Sequence, residues 1–186
     1  MRSDPKAFFR NTILVHESER HSVDPDDKGN WFKGQLVGSK YGVTGAALAA
    51  YRGVATISRS QMAALTEDEA IDLGLTGYFY RQGIDLLPWD VVIAGVTDLS
   101  FNAGPSMAVK VLQRLIGADD DGKAGKGTRE AYRLWRCNKT DEEAMRAWTK
   151  ARIAFYVSLK NAKYENGWTN RANAFLPGTK WWKDNA

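Results

Sequence analysis

Residues 86–117 read LLPWDVVIAGVTDLSFNAGPSMAVKVLQRLIG, and this run sets the expected architecture. Pro88 is placed as the first residue of a helix, where its missing N–H costs nothing. Val91, Val92, Ala94, Gly95 and Leu99 then make the helix apolar on most sides, the pattern of a central, buried helix. Asp98 and Asn102 are its polar exceptions. Buried polar groups need partners, so these two either orient site groups or cap a kink near Gly104-Pro105. After the proline, Met107, Val111, Leu112 and Leu115 recur at helical spacing and are expected in the core.

The flanking sequence extends the helical reading. Asp4-Pro5 starts a first helix as N-cap and N1. Thr44 caps GAALAAYRG, 45–53, which Gly53 stops. Ser58 with Gln61, and Thr66 with Glu69, have capping-box spacing. The second opens a helix with Ala70, Leu73 and Gly77 or Tyr78 on one side. Tyr78-Phe79-Tyr80 reads as core packing, with groove lining as the alternative. A helix over TREAYRLW, 128–135, is capped near Thr128. A long one runs from Asp141 to about Tyr164, with Ala144, Trp148, Ala151, Phe155 and Leu159 on one stripe. Gly167-Trp168 opens a last short helix containing Arg171. Trp181-Trp182 in the tail either docks on the body or stacks on sugar rings, and docking is the expectation. No strand-period alternation exceeds four residues and no repeat is present, so the class is mainly α. A seam near residues 98–105 divides the chain, although the helix through it favours one body.

The bulk numbers narrow the function. The 186 residues fit one domain or two small ones, and 44% hydrophobic content supports a packed core. A net charge of +4 suits an anionic polymer or surface. Lys and Arg are scattered rather than grouped on one face, which argues against a nucleic-acid binder. The single Cys137 excludes an internal disulfide and a Cys-rich metal site. His16 and His21 lack the HExxH spacing and read as solvated or half-buried. The loop ADDDGKAGKGT, 118–128, fails the calcium-loop pattern, with Ala124 where glycine is needed, and fails the phosphate-loop pattern. No run reaches about 18 apolar residues, so no membrane helix is expected. Asp4, Pro5 and Arg10 interrupt any signal-peptide pattern, so synthesis in a cytosol is the expectation.

One stretch is built differently. Residues 13–44, ILVHESERHSVDPDDKGNWFKGQLVGSKYGVT, carry an apolar helix end into Glu17 and Glu19 and then a long, irregular, acidic loop. Long loops in compact domains are usually functional. Phe9, Ile13 and Glu17 at i, i+4, i+8 share one helical face, and Glu19 lies about 200° further round. Glu17 is then either a solvated helix-end carboxylate or a partly buried one whose protonated form is favoured.

HE at 16–17, DPDDKGNW at 24–31 and GSKYGVT at 38–44 resemble the N-terminal signature of glycoside hydrolase family 108. LTEDEAIDLGLTGYFY, 65–80, resembles that family's following helix. SFNAGPSMAVKVLQRLIG, 100–117, DGKAGKGT, 121–128, and NGWTNRA, 166–172, resemble the attached peptidoglycan-binding-type segment. The chain departs from the family in reading Glu17-Ser18-Glu19-Arg20 in place of Glu-Gly-Gly-Tyr. The resemblance implies a compact lysozyme-like helical fold with a long catalytic loop. It implies a catalytic domain at 5–99, a peptidoglycan-binding-type segment at 100–176 and a tail at 177–186. The implied activity is that of a phage-type endolysin or muramidase cutting the β-1,4 bond between N-acetylmuramic acid and N-acetylglucosamine. Glu17 is implied as general acid, Asp27 as second carboxylate and Glu19 as the alternate, while Trp31, Tyr41, Thr44 and Asn102 contact the sugar. No metal or cofactor is implied. A holin or secretion system would release a monomer from the cytoplasm to the periplasm and wall. A non-catalytic wall component and a lytic transglycosylase are the rival readings.

Overall fold

The computed structural model describes residues 3–14 and 19–186. Two compact units emerge, one of residues 6–76 and one of 1–5 with 77–186.

The smaller unit begins in helix α1 (Pro5–Phe8), starting at the proline as expected. Phe9–Ile13 then continue as a π-helical turn. Leu14 N–H donates to the Phe9 carbonyl five residues back, so the i, i+4, i+8 face does not run through this segment. Phe9 and Ile13 are buried all the same. The Phe9 ring fits over Gly74, where an added Cβ would fall 2.2 Å from Cζ. Two short hairpins follow, where the sequence reads as irregular loop. In the first, β1 (Trp31–Phe32) pairs with β2 (Gln35–Leu36), Trp31 opposite Leu36. In the second, β3 (Ser39–Lys40) pairs with β4 (Val43–Thr44), Ser39 opposite Thr44. Each closes through a two-residue turn of positive φ, Lys33-Gly34 at 49° and 77°, and Tyr41-Gly42 at 53° and 72°. Such turns match the twist of the strands. Two-residue strands are too short to leave a period-two signal, which is why they are invisible in the sequence.

Helices α2 (Gly45–Arg52), α3 (Arg59–Ala63) and α4 (Glu67–Leu75) complete this unit. Thr44 and Ser58 cap as expected, and Ser58 forms the full box with Gln61. The second box is only half made. Thr66 accepts from Glu69 N–H, but the Glu69 carboxylate pairs instead with Arg52 at 2.7 and 2.8 Å. That bidentate pair joins the last turn of α2 to the first turn of α4, where each charge also suits its helix end. The Arg52 charge lowers the Glu69 pKa, the direct hydrogen bond being the larger cause.

In the larger unit, α5 (Val91–Ala103) is buried at every position from Val91 to Ser100. It packs against α6 (Pro105–Ile116) and α8 (Asp141–Ser158). The helix starts at Val91 and not at Pro88. Asp90 is the N-cap, its carboxylate accepting from Val92 and Ile93 N–H at 2.9 and 3.0 Å. The same carboxylate accepts from Tyr132 Oη and Arg136 Nε, which ties on α7 (Lys126–Arg136). Tyr132 is held far above the usual phenol pKa, first by burial and then by the Asp90 charge.

Asp98 does not cap the kink near Gly104-Pro105. It is 1% exposed, and its carboxylate accepts from Arg152 Nη2 of α8 at 2.6 Å. It also accepts from Arg171 Nη2 of α9 (Ala162–Asn173) at 2.8 Å. One carboxylate thereby holds three helices. Gly104, at φ +86°, ends α5, and Pro105 opens α6. Of the expected α6 core residues, Val111 and Leu112 are buried, while Met107 and Leu115 are half-buried.

Trp148 of α8 packs its indole against α5 at Gly95, where a Cβ would stand 2.5 Å from its Nε1. Trp148 is 1% exposed and has nowhere to retreat. Gly95→Ala is therefore expected to destabilise this unit by about 1–3 kcal/mol through overpacking. A urea melt followed by tryptophan fluorescence measures it, and an unchanged midpoint would contradict the packing argument.

The expected long helix from Asp141 to Tyr164 is two helices. Alpha-helix α8 stops at Ser158, Lys160 takes φ +50°, and α9 begins at Ala162. The break lets Trp168 return to stack on Tyr156, centroids 5.4 Å apart. Trp168 and Arg171 sit inside α9 and do not start a helix. Helix α7 likewise begins at Lys126, after Gly125, rather than near Thr128. Thr128 is buried and receives a hydrogen bond from Gln113. The Gln113 amide also donates to Asp121 and the Lys123 carbonyl and accepts from Gly122 N–H. A single buried glutamine thus organises the 118–128 loop. In α10 (Lys180–Asn185), Trp181 docks against Phe175 at 4.5 Å, as expected. Phe79 is buried and meets Trp89 edge-on, in keeping with the core reading of that aromatic run, while Tyr80 is exposed.

Candidate active site

Glu17, the leading catalytic candidate, and His16 lie outside the described residues. The segment immediately after them is fastened to the second hairpin. Ser22 and Ser39 exchange both backbone hydrogen bonds at 2.9 Å. His21 is half-buried, and its Nε2 donates to the Val37 carbonyl at 2.8 Å. This contact needs Gly38. A Cβ there would stand 2.3 Å from His21 Nε2 and 2.3 Å from the Ser22 carbonyl oxygen, at a φ of +86°. Gly38→Ala therefore meets both backbone strain and a clash with backbone. The expected result is a fold that persists with the activity that the resemblance implies reduced roughly tenfold or more, since displacement by about 1 Å can cost that much. Unreduced clearing of purified peptidoglycan would exclude a positioning role for this contact.

The acidic loop has its own internal order. Asp24 accepts from Asp26 N–H and Asp27 from Gly29 N–H, so both carboxylates shape turns. Asp27 caps the short 3₁₀ turn Lys28–Asn30 through Oδ1 and remains exposed. At the centre is Asn30, which is fully buried. Its carbonyl accepts from Val37 and Gly38 N–H, and its amide donates to the Asp24 carbonyl and to Ser22 Oγ. Asn30 Oδ1 has no partner among the described residues. Asn30 thus links the acidic loop, the Ser22 strand and the hairpin. Sequence reasoning missed it, though the Gly-Asn-Trp run was a visible signal.

The sugar-contact candidates have distinct settings. Trp31 is 45% exposed, with its indole N–H anchored on the Pro25 carbonyl at 2.8 Å. That contact leaves an aromatic surface at the solvent boundary. Tyr41 is half-buried at the tip of the second hairpin. Its phenol is raised above the usual value, first by burial, then by the charges of Glu19 and Glu67. Glu19 is itself exposed, so the structure brings Glu19 and Tyr41 into one electrostatic neighbourhood. Lys40 lies 5.3 Å from the Tyr41 ring centroid, and its ammonium is fixed by the Ala63 and Leu65 carbonyls. Thr44 Oγ1 is occupied as the cap of α2, accepting from Ala47 N–H at 3.3 Å. Asn102 belongs to the larger unit, where it is exposed on the last turn of α5 beside a cavity. Among the described residues, no group of three or more His, Cys, Asp or Glu side chains could hold a metal.

Residues 10–104 match the family model described as Glycosyl hydrolase 108. Residues 107–173 match the one described as Predicted Peptidoglycan domain. Among solved structures, that of Brucella abortus SagA is similar at 27% identity and a TM-score of 0.66, covering 91% of this chain and 90% of that one. No curated protein matches the chain.

Proposed function

This chain belongs to the glycosyl hydrolase 108 family, a glycoside hydrolase acting on peptidoglycan, and from that premise we propose that it is a muramidase of the phage-endolysin type. Its bond is the β-1,4 link between N-acetylmuramic acid and N-acetylglucosamine. The observation that carries the reading is the succession, within one chain, of a glycosidase match and a peptidoglycan-domain match. In this reading residues 5–99 form the catalytic segment, 100–176 the wall-binding segment and 177–186 a tail.

Glu17 is the general acid. It delivers its proton to the glycosidic oxygen as the C–O bond breaks, and the sugar left behind gains cation character. Asp27 is the second carboxylate, which accepts a proton from the attacking water or stabilises that charge. Its exposed position, with Oδ1 on Gly29 N–H, supports a solvent-facing role. Glu19 is the alternate acid, and its neighbourhood with Tyr41 keeps it in consideration. Trp31 supplies a stacking face, Tyr41 a polar contact, and the Thr44 hydroxyl, whose oxygen accepts from Ala47 N–H, still has its proton to donate. The protein acts on the wall as a monomer after release from the cytoplasm by a holin or a secretion system.

Mass spectrometry of fragments released from purified sacculi tests the reaction. Muramic-acid reducing ends are expected. Fragments ending in 1,6-anhydro rings would identify a lytic transglycosylase instead. Sedimentation with sacculi and no released fragments would identify a binding protein.

A further inference from the structure

A second candidate site lies within the larger unit. Helices α8 and α9 fold back on each other beside the junction of α5 and α6 and leave a cavity of about 280 Å³. Asn102, Met107, Phe155, Tyr156, Leu159 and Trp168 line it. Its aromatic wall is continuous. Trp168 stacks on Tyr156 at 5.4 Å, Phe155 meets Tyr156 at 5.5 Å, and Tyr164 extends the surface from Trp168 at 5.7 Å. Tyr164 is 48% exposed and Leu159 46%, so the aromatic surface reaches solvent. Lys163 lies 5.0 Å from the Tyr164 ring centroid and places a cation at that margin.

Two polar groups stand in this apolar frame. The Asn102 amide and the Trp168 indole N–H have no hydrogen-bond partner among the described residues. Tyr156 Oη, by contrast, is already occupied by Arg152 Nε. An apolar pocket with a few free polar groups at its edge is the usual form of a small-ligand site. The volume holds a single ring and a small substituent, which excludes a partner helix. Aromatic faces match the C–H face of a pyranose, Met107 and Leu159 match a methyl group, and free N–H donors match a carbonyl oxygen. An acetamido sugar carries all three features. We propose that this cavity is a non-catalytic subsite for one N-acetylhexosamine residue of a glycan strand. The identity of that strand as peptidoglycan rests on the function proposed above. The margin cation suits the polyanionic character of such a wall.

The test uses the full chain carrying Glu17→Gln, titrated with the β-1,4 tetramer of N-acetylglucosamine. Tryptophan indole N–H resonances are followed by NMR, with Trp168 assigned through Trp168→Phe. The Trp168 resonance is expected to move and saturate with this tetramer and to stay still with the glucose tetramer, which lacks acetamido groups. Asn102→Ala, at an exposed position, is expected to weaken the saturation about fivefold, the value of one hydrogen bond. A Trp168 resonance unmoved while other signals titrate would overturn the proposal. So would equal shifts with both tetramers, or an Asn102→Ala titration identical to the parent. Fragment release by the unmutated chain is read separately. If none is released and Trp168 still titrates, the subsite stands without the muramidase reading. If fragments appear and Trp168 does not respond, the subsite alone fails.

Discussion

Purified peptidoglycan incubated with Glu17→Gln is expected to keep its turbidity, where the parent chain clears it. Glutamine keeps the shape of the side chain and has no proton to give. Loss of a general acid costs about 10²–10⁴-fold in rate, enough to bring lysis to background in a turbidity assay. The circular dichroism spectrum and melting midpoint are expected to match the parent, because the change removes one ionisable group without altering volume. Glu19→Gln is the paired measurement. Glu19 is exposed and acts on Tyr41 only through its charge, so most of the lytic rate should survive its loss. The opposite result, with Glu17→Gln active and Glu19→Gln dead, would transfer the acid role to Glu19.

The second large effect lies far from any chemistry. Asp98→Ala is expected to destabilise the larger unit by about 3–5 kcal/mol, because it strands a buried charge. Arg152 is 1% exposed, and its Nη2 has Asp98 as its carboxylate partner at 2.6 Å. Arg171, 28% exposed, makes the second pair at 2.8 Å and can turn toward water more easily. The pH dependence follows from the direction of the carboxyl's shift. Burial alone would raise its pKa. The charge of Arg152, then the hydrogen bond and charge of Arg171, outweigh burial and hold it below the usual value. A depressed carboxylate contributes its stability above the unfolded-state pKa of about 4. That contribution is lost as pH falls through the lower folded-state pKa. The gap in unfolding free energy between the parent and Asp98→Ala should therefore be constant from neutral pH down to mildly acidic conditions. It should narrow only under strongly acidic conditions. Urea titrations at several pH values measure this, and a gap that widened toward low pH would refute the account. Loss of shape contributes too, so Asp98→Asn separates charge from volume.

Particular residues show how much of the site could be read beforehand. Thr44 was legible as a helix cap, and the structure uses it so, which leaves its hydroxyl already committed to Ala47. Tyr41 and Trp31 were legible as the aromatic residues of the acidic stretch, and both reach solvent in part. Asn30 was not legible. Its role depends on the Asp24 carbonyl, the Val37 and Gly38 N–H groups and Ser22 Oγ, and only the folded hairpin brings these together. Gly38 was visible as one of several glycines. Its need for a bare Cα became evident only with His21 and Ser22 against it.

The same division holds for the whole chain. The sequence by itself determined the helical class, the buried central helix and the helix ends at Pro5, Thr44, Gly53, Ser58, Thr66 and Asp141. Thr44, Ser58 and Gly53 act within one turn of themselves, and local chemistry is written in local sequence. Only the tertiary structure decided where long side chains with more than one possible partner would go. Glu69 left its own helix cap for Arg52, Asp90 gathered Tyr132 and Arg136, and Gln113 organised a loop up to fifteen residues away. It also decided the break at Lys160, which no glycine or proline announces. Turning Trp168 back onto Tyr156 buries aromatic surface that a straight helix would leave in water, and that gain depends on residues twelve positions apart.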